Sequence, residues 1–116
     1  MYDVIPYPDI DNALINDLME QFKKSGDNRN YSDFKKYTKK LAEYGLEMNE
    51  KYKRGSFKKL ENDMYELRPT NFRIMFTCKD QIFYLLNGFF KKSDETPPAE
   101  KDLARKYIKI IHFKTK

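Results

Sequence analysis

Phe57-Lys58-Lys59-Leu60-Glu61-Asn62-Asp63-Met64-Tyr65-Glu66-Leu67-Arg68-Pro69-Thr70-Asn71-Phe72-Arg73-Ile74-Met75-Phe76-Thr77 is the stretch that decides the fold. Apolar residues recur here at every second position, the period of a strand, whereas upstream they recur about every fourth. Three short strands follow from it, Phe57–Leu60, Met64–Arg68 and Phe72–Thr77, and Ile82–Phe89 reads as a fourth. The separators Glu61-Asn62-Asp63, Pro69-Thr70-Asn71 and Lys79-Asp80-Gln81 suit hairpins and are too short for parallel crossovers.

Around this meander the spacing is helical. Tyr2 to Ile5 is a short extended opening, ended by Pro6 and Pro8. Ile10, Leu14, Leu18 and Phe22 then form an i, i+4 stripe, with Asp9 or Asp11 available as cap and Ser25-Gly26 as stop. Phe34, Tyr37, Leu41 and Tyr44 mark a second helix, starting near Ser32 and stopped by Gly45. A last helix opens with Thr96 as cap and Pro97 in its first turn, and carries Leu103, Tyr107, Ile108 and Ile111 on one side. The expected fold is α+β, one domain over residues 1–116: a small twisted antiparallel sheet with two N-terminal helices and one C-terminal helix packed on one face.

Composition narrows the function classes. Charged residues make up 35%, and no apolar run reaches the length a bilayer needs, so no membrane association is expected. Met1-Tyr2-Asp3-Val4-Ile5-Pro6 does not read as a signal peptide, and the single Cys78 suits a reducing compartment; the expected location is the cytoplasm. One cysteine and one histidine cannot build a zinc site, and no glycine-rich nucleotide loop is present, so no metal and no cofactor are expected. The formal net charge is +5. Nine bases against four acids lie between Lys53 and Lys92, so the whole excess falls on the β-rich segment, as for a polyanion binder. Strict alternation sends Leu60, Tyr65, Leu67, Phe72, Ile74 and Phe76 to the core. It leaves Lys59, Glu66, Arg68, Arg73 and Met75 together on an open face, with Lys91 and Lys92 just beyond the fourth strand. Such a face suits a single RNA strand, cations meeting phosphates and aromatic rings stacking on bases.

In order and spacing, Phe57-Lys58-Lys59-Leu60, Met64-Tyr65-Glu66-Leu67-Arg68, Phe72-Arg73-Ile74 and Gly88-Phe89-Phe90-Lys91-Lys92 followed by Thr96-Pro97 resemble the HigB-like branch of the RelE/ParE toxin superfamily, phage-derived relatives included. Met64, Phe72 and the doubled Phe89-Phe90 are mild departures from its pattern. The resemblance implies a toxin of a toxin–antitoxin pair: an endoribonuclease cleaving mRNA on the ribosome, held inactive by a cognate antitoxin, commonly a helix-turn-helix protein. Two alternatives stay open on the same fold, a gyrase-directed inhibitor of the ParE type and a non-catalytic nucleic-acid-binding module.

Metal-independent RNA cleavage uses the 2′-hydroxyl as nucleophile and needs a proton acceptor, a proton donor and positive charge on the phosphate oxygens. Arg68 and Arg73 are the expected phosphate clamp, since arginine stays charged and presents a planar fork. Lys59, or Lys58 if the register slips, would bind phosphate or carry a proton; Lys58, Lys91 and Lys92 would grip RNA. For acid–base work the candidates are Glu66, which can equally pair with an arginine, and His112 in the basic tail.

Overall fold

In the computed structural model, residues 1–9 and 11–113 are described; Ile10, part of the expected first stripe, lies outside them. The chain runs β1 (Asp3–Pro6), α1 (Ile15–Lys24), α2 (Asn28–Tyr44), a 3-10 turn (Gly45–Glu47), α3 (Met48–Lys51), β2 (Phe57–Glu61), β3 (Met64–Leu67), β4 (Phe72–Lys79), β5 (Ile82–Phe90) and α4 (Pro98–Phe113). The fold class is α+β, as the change of hydrophobic period indicates.

Helix ends are set by local hydrogen bonding. α2 starts at Asn28, ahead of Ser32, because the Asp27 carboxylate accepts from the Asn30 backbone N–H at 3.1 Å and from its side-chain amide at 2.7 Å. α1 starts at Ile15, without a side-chain cap, so neither Asp9 nor Asp11 serves as one. Asp9 is instead occupied locally, accepting from the N–H groups of Asp11 at 2.9 Å and Asn12 at 3.0 Å. Gly45 ends α2 at φ 59°, and the Tyr2 ring lies so close that a Cβ there would sit 2.6 Å from its Cε2. The Tyr2 N–H also bonds Ala42 O at 2.8 Å, which ties the opening strand to α2.

The five strands order as β1-β5-β4-β3-β2. Neighbours are antiparallel, as the short loops require, except that β1 lies parallel to β5; α1 and α2 carry the chain from β1 to β2 at the opposite edge of the sheet. The β4–β5 turn places Asp80 (φ 53°) and Gln81 (φ 66°) in the left-handed region, the pairing that matches strand twist in a two-residue hairpin. Two bulges shift the pattern. One falls between Lys59 and Glu61; the other falls where Met75 pairs with Asn87 but Phe76 pairs with Leu85, leaving Leu86 extra.

Two cores result, one on each side of the sheet. Ile15, Leu18 and Phe22 of α1 and Tyr37 and Leu41 of α2 pack with Leu67, Phe72, Ile74, Phe76, Phe83 and Leu85. Ala104, Ile108 and Ile111 of α4 pack with Met64, Met75 and Leu86 on the other side. The expectation that all the helices share one face is therefore corrected: α4 covers the face that strict alternation leaves open. Met64, Met75 and Leu86 are fully buried there; Leu86 follows Tyr84 onto this side by ordinary alternation, and the bulge brings Phe89 to it as well. A bidentate pair pins α4 to β2, Arg105 Nε and Nη2 reaching the Glu61 oxygens at 2.6 and 2.8 Å. Among the described residues no helix is long and apolar enough to cross a membrane.

Two outcomes follow from this packing. A Cβ on Gly88 would meet Ile15 Cδ1 and Leu18 Cδ2 at 2.8 Å and the Arg73 carbonyl at 3.2 Å. Gly88→Ala should therefore cost about 1–3 kcal/mol by overpacking, read as a lower urea midpoint at unchanged slope. Arg105 holds the Glu61 carboxyl below its ordinary value of 4.5. A depressed folded-state value gives stability that is present above that pH and lost as pH falls. Glu61→Gln should lower the melting temperature at neutral pH, and the gap to the parent should close between about pH 5 and pH 3.

Candidate phosphate-binding cleft

Glu66 lies in the middle of β3, opposite Met75 on β4 and Lys58 on β2. Its side chain faces α4, and the residue is 1% exposed. Burying a carboxylate is costly unless its oxygens are matched, and here both are. Oε1 accepts from Arg68 Nε at 2.9 Å, and Oε2 accepts from the Thr96 hydroxyl at 2.6 Å. Buried and engaged at each oxygen, Glu66 anchors its neighbours from behind and is not among the residues that line the cleft.

Arg68 is two residues along the same face. With Nε committed to Glu66, its two terminal nitrogens make no hydrogen bond among the described residues, and the side chain is 28% exposed. This holds the guanidinium at a fixed angle with its outer edge open. Arg73 is placed differently. Its Nη1 donates to the carbonyls of Pro69 at 2.6 Å and Phe72 at 2.8 Å, clasping the β3–β4 turn. Burial pushes the Arg73 guanidinium below its ordinary value, nearby Glu66 opposes that shift, and Arg68 adds to it.

Arg68 opens into a cleft of about 620 Å³ between β2, the loop before α4, and the first turns of α4. Lys58, Lys59, Lys101 and Arg105 join it as cations, and Asp94, Glu95 and Asp102 line the same cleft. The β2–β3 register reverses the expected lysine assignment. Lys58 pairs with Glu66 and shares its face, whereas Lys59 pairs with Tyr65 and holds its ammonium 6.0 Å from that ring's centroid. Leu60, expected beside Tyr65 and Leu67, packs with the α4 core instead.

The other candidate residues are not brought together. Lys91 pairs with Asp94 at 3.4 Å, beside the cleft. Lys92 lines a separate trough between α1 and α4. His112 sits near the far end of α4, about 20 Å of helix from Thr96, and its Nε2 lies 2.9 Å from the Thr77 hydroxyl. That distance removes it from acid–base work in this cleft. Lys101, Arg105 and Thr96 line the cleft without having been site candidates in the sequence. Lys101 and Arg105 are an i, i+4 pair on the polar side of α4, a visible signal that needed α4 on this face to acquire meaning. Thr96 reads as a helix cap, but α4 begins at Pro98, and the hydroxyl goes to Glu66.

The arrangement is suited to holding a phosphodiester: one oriented guanidinium with a free edge, lysines on both flanks, and a buried carboxylate fixing the geometry from behind. Thr96→Val would leave Glu66 Oε2 without its donor. It should cost about 1–3 kcal/mol in urea unfolding, and Thr96→Ser should recover most of that loss.

No curated protein matches the sequence. The model of the family described as phage derived protein Gp49-like (DUF891) matches residues 17–109, from α1 through all of β2–β5 and most of α4, and so takes in every cation of the cleft. The chain belongs to this phage-derived Gp49-like family.

Proposed function

We propose that the chain is the toxin of a toxin–antitoxin pair and acts in the cytoplasm as a metal-independent endoribonuclease on mRNA. The observation that carries this reading is the open edge of Arg68, held by buried Glu66 at the mouth of a cation-lined cleft. In the proposed step, the 2′-hydroxyl oxygen forms a bond to phosphorus, the bond from phosphorus to the 5′ oxygen breaks, and a cyclic phosphate remains. The terminal nitrogens of Arg68 receive the equatorial oxygens as negative charge grows on them. Lys58 and Lys59 line the cleft where the 2′ proton is lost and the leaving 5′ oxygen gains one. Arg73 adds fixed positive charge behind the clamp.

A cleft rich in cations and poor in dedicated acid–base groups depends on the geometry in which its substrate is delivered. The ribosome, which holds mRNA in an extended and fixed path, is the proposed setting. A cognate antitoxin, a helix-turn-helix protein in the pattern that the sequence resembles, is the proposed restraint.

The test compares the parent with Arg68→Lys, which keeps a cation beside Glu66 but removes the planar fork. Both are expressed from a tightly repressed promoter, and new 5′ ends are mapped across cellular mRNA. Parent expression should give new ends inside translated frames, in phase with codons. The variant, with an unchanged circular dichroism spectrum, should lower their yield by about 100-fold or more. Growth arrest without new ends would overturn the nuclease reading and direct attention to gyrase.

A further inference from the structure

β5 is longer than the strand that covers its outer side. β1 pairs with Ile82–Leu85, and the last bond across this edge runs from the Tyr7 N–H to Leu85 O at 2.9 Å. Beyond Leu85, β5 continues to Phe90 with β4 on one side and, among the described residues, no strand on the other. The Lys91 N–H bonds Asn71 O at 2.9 Å, and Phe89 and Asn87 pair with Arg73 and Met75. Strand alternation therefore turns the main-chain groups of Asn87 and Phe89 toward β4, and those of Gly88 and Phe90 outward. No main-chain bond from another segment reaches Gly88 or Phe90 among the described residues.

This edge is the floor of a trough of about 640 Å³, walled by Leu14, Leu18 and Gln21 of the α1 side and by Pro97, Glu100 and Leu103 of the α4 side. Asn87, 2% exposed, lines it as well. Its amide nitrogen donates to the Glu100 backbone carbonyl at 3.2 Å and to Glu100 Oε1 at 2.9 Å. Both partners are acceptors, so the amide cannot be turned over, and Oδ1 is left buried without a donor among the described residues. Charge is graded along the trough. Asp17 and Glu100 stand toward Gly88, while Lys92 and, beside Phe90, Lys24 stand at the other end.

We propose that this edge is a docking site for an extended segment of another protein, which adds as a strand beside Leu86–Phe90. The free main-chain groups of Gly88 and Phe90 supply its backbone pairing, and the apolar walls receive its alternate side chains. The segment carries a base facing Asp17 and Glu100 and an acid facing Lys24 and Lys92. A second copy of this chain does not fit. Helices flank the edge on both faces, so the trough admits one strand and not a sheet with its own helices.

The test selects heptapeptides from a displayed random library against the full chain, then measures amide hydrogen exchange by NMR with and without each synthetic peptide. Binders with alternating apolar residues should slow exchange at Gly88 and Phe90 by about tenfold or more. Methylating the peptide's pairing nitrogens should weaken binding by a similar factor. Lys24→Glu, at an exposed position, should weaken a peptide with an acid at that end, and a base at that peptide position should restore it. Selection that yields no peptide protecting both amides overturns the proposal, as does binding indifferent to N-methylation. Protection that rises with protein concentration alone would assign the edge to a second copy and overturn it equally.

Discussion

A single buried carboxylate organises the α4 side of this molecule. Glu66 brings a negative charge under α4, where it is tolerated only because Arg68 and Thr96 complete it, with Arg73 nearby. Each contact has a structural consequence. Arg68 is held at the cleft mouth with its outer nitrogens unbonded among the described residues, and Thr96 fixes the chain just before α4. The same ion therefore determines where the helix starts and which way the guanidinium points. Breaking either contact leaves a buried oxygen short of a donor, so the cleft geometry and the approach to α4 are coupled through one side chain.

The sheet itself was legible in the sequence because period-two alternation, short polar loops and Gly45 are local signals with local causes. What alternation could not report was that both faces are covered. A rule that sends apolar residues inward assumes one interior, and here Met64, Met75 and Leu86 belong to a second one. That assumption also misplaced Leu60 and, with it, the lysine register: Lys58 stands on the Glu66 face, while Lys59 turns toward Tyr65. Bulges compound the error, since one extra residue moves every later side chain to the other side.

For the candidate site, the legible part was chemical and the hidden part geometric. Arg68, Arg73 and Glu66 stand out as cations and a carboxylate on one run of strand, and the structure does bring them together. Their different postures follow from contacts distant in sequence or made to backbone carbonyls, which no pattern of residue types encodes. His112, conspicuous as the sole histidine, is separated by the length of a helix whose direction a linear reading does not contain. Thr96 illustrates the converse. A residue with an ordinary local role was diverted to a partner 30 positions away because a buried carboxylate outbids a helix end.

α4 is what lets one small sheet present two separate concave surfaces. Along its first turns Pro98, Lys101 and Arg105 face the cation-lined cleft over β2 and β3. Pro97, Glu100 and Leu103 face the trough beside β5. A helix is about 10 Å across, so the two surfaces lie back to back on the same few residues. Their chemistry differs because the sheet beneath them differs. The cleft floor is crossed by side chains of paired strands, which offer charge, whereas the trough floor is an unpaired strand edge, which offers main-chain hydrogen bonds. The parallel strand β1 sets that contrast by stopping at Pro6, opposite Leu85: a few more paired residues would close the trough and leave the cleft unchanged.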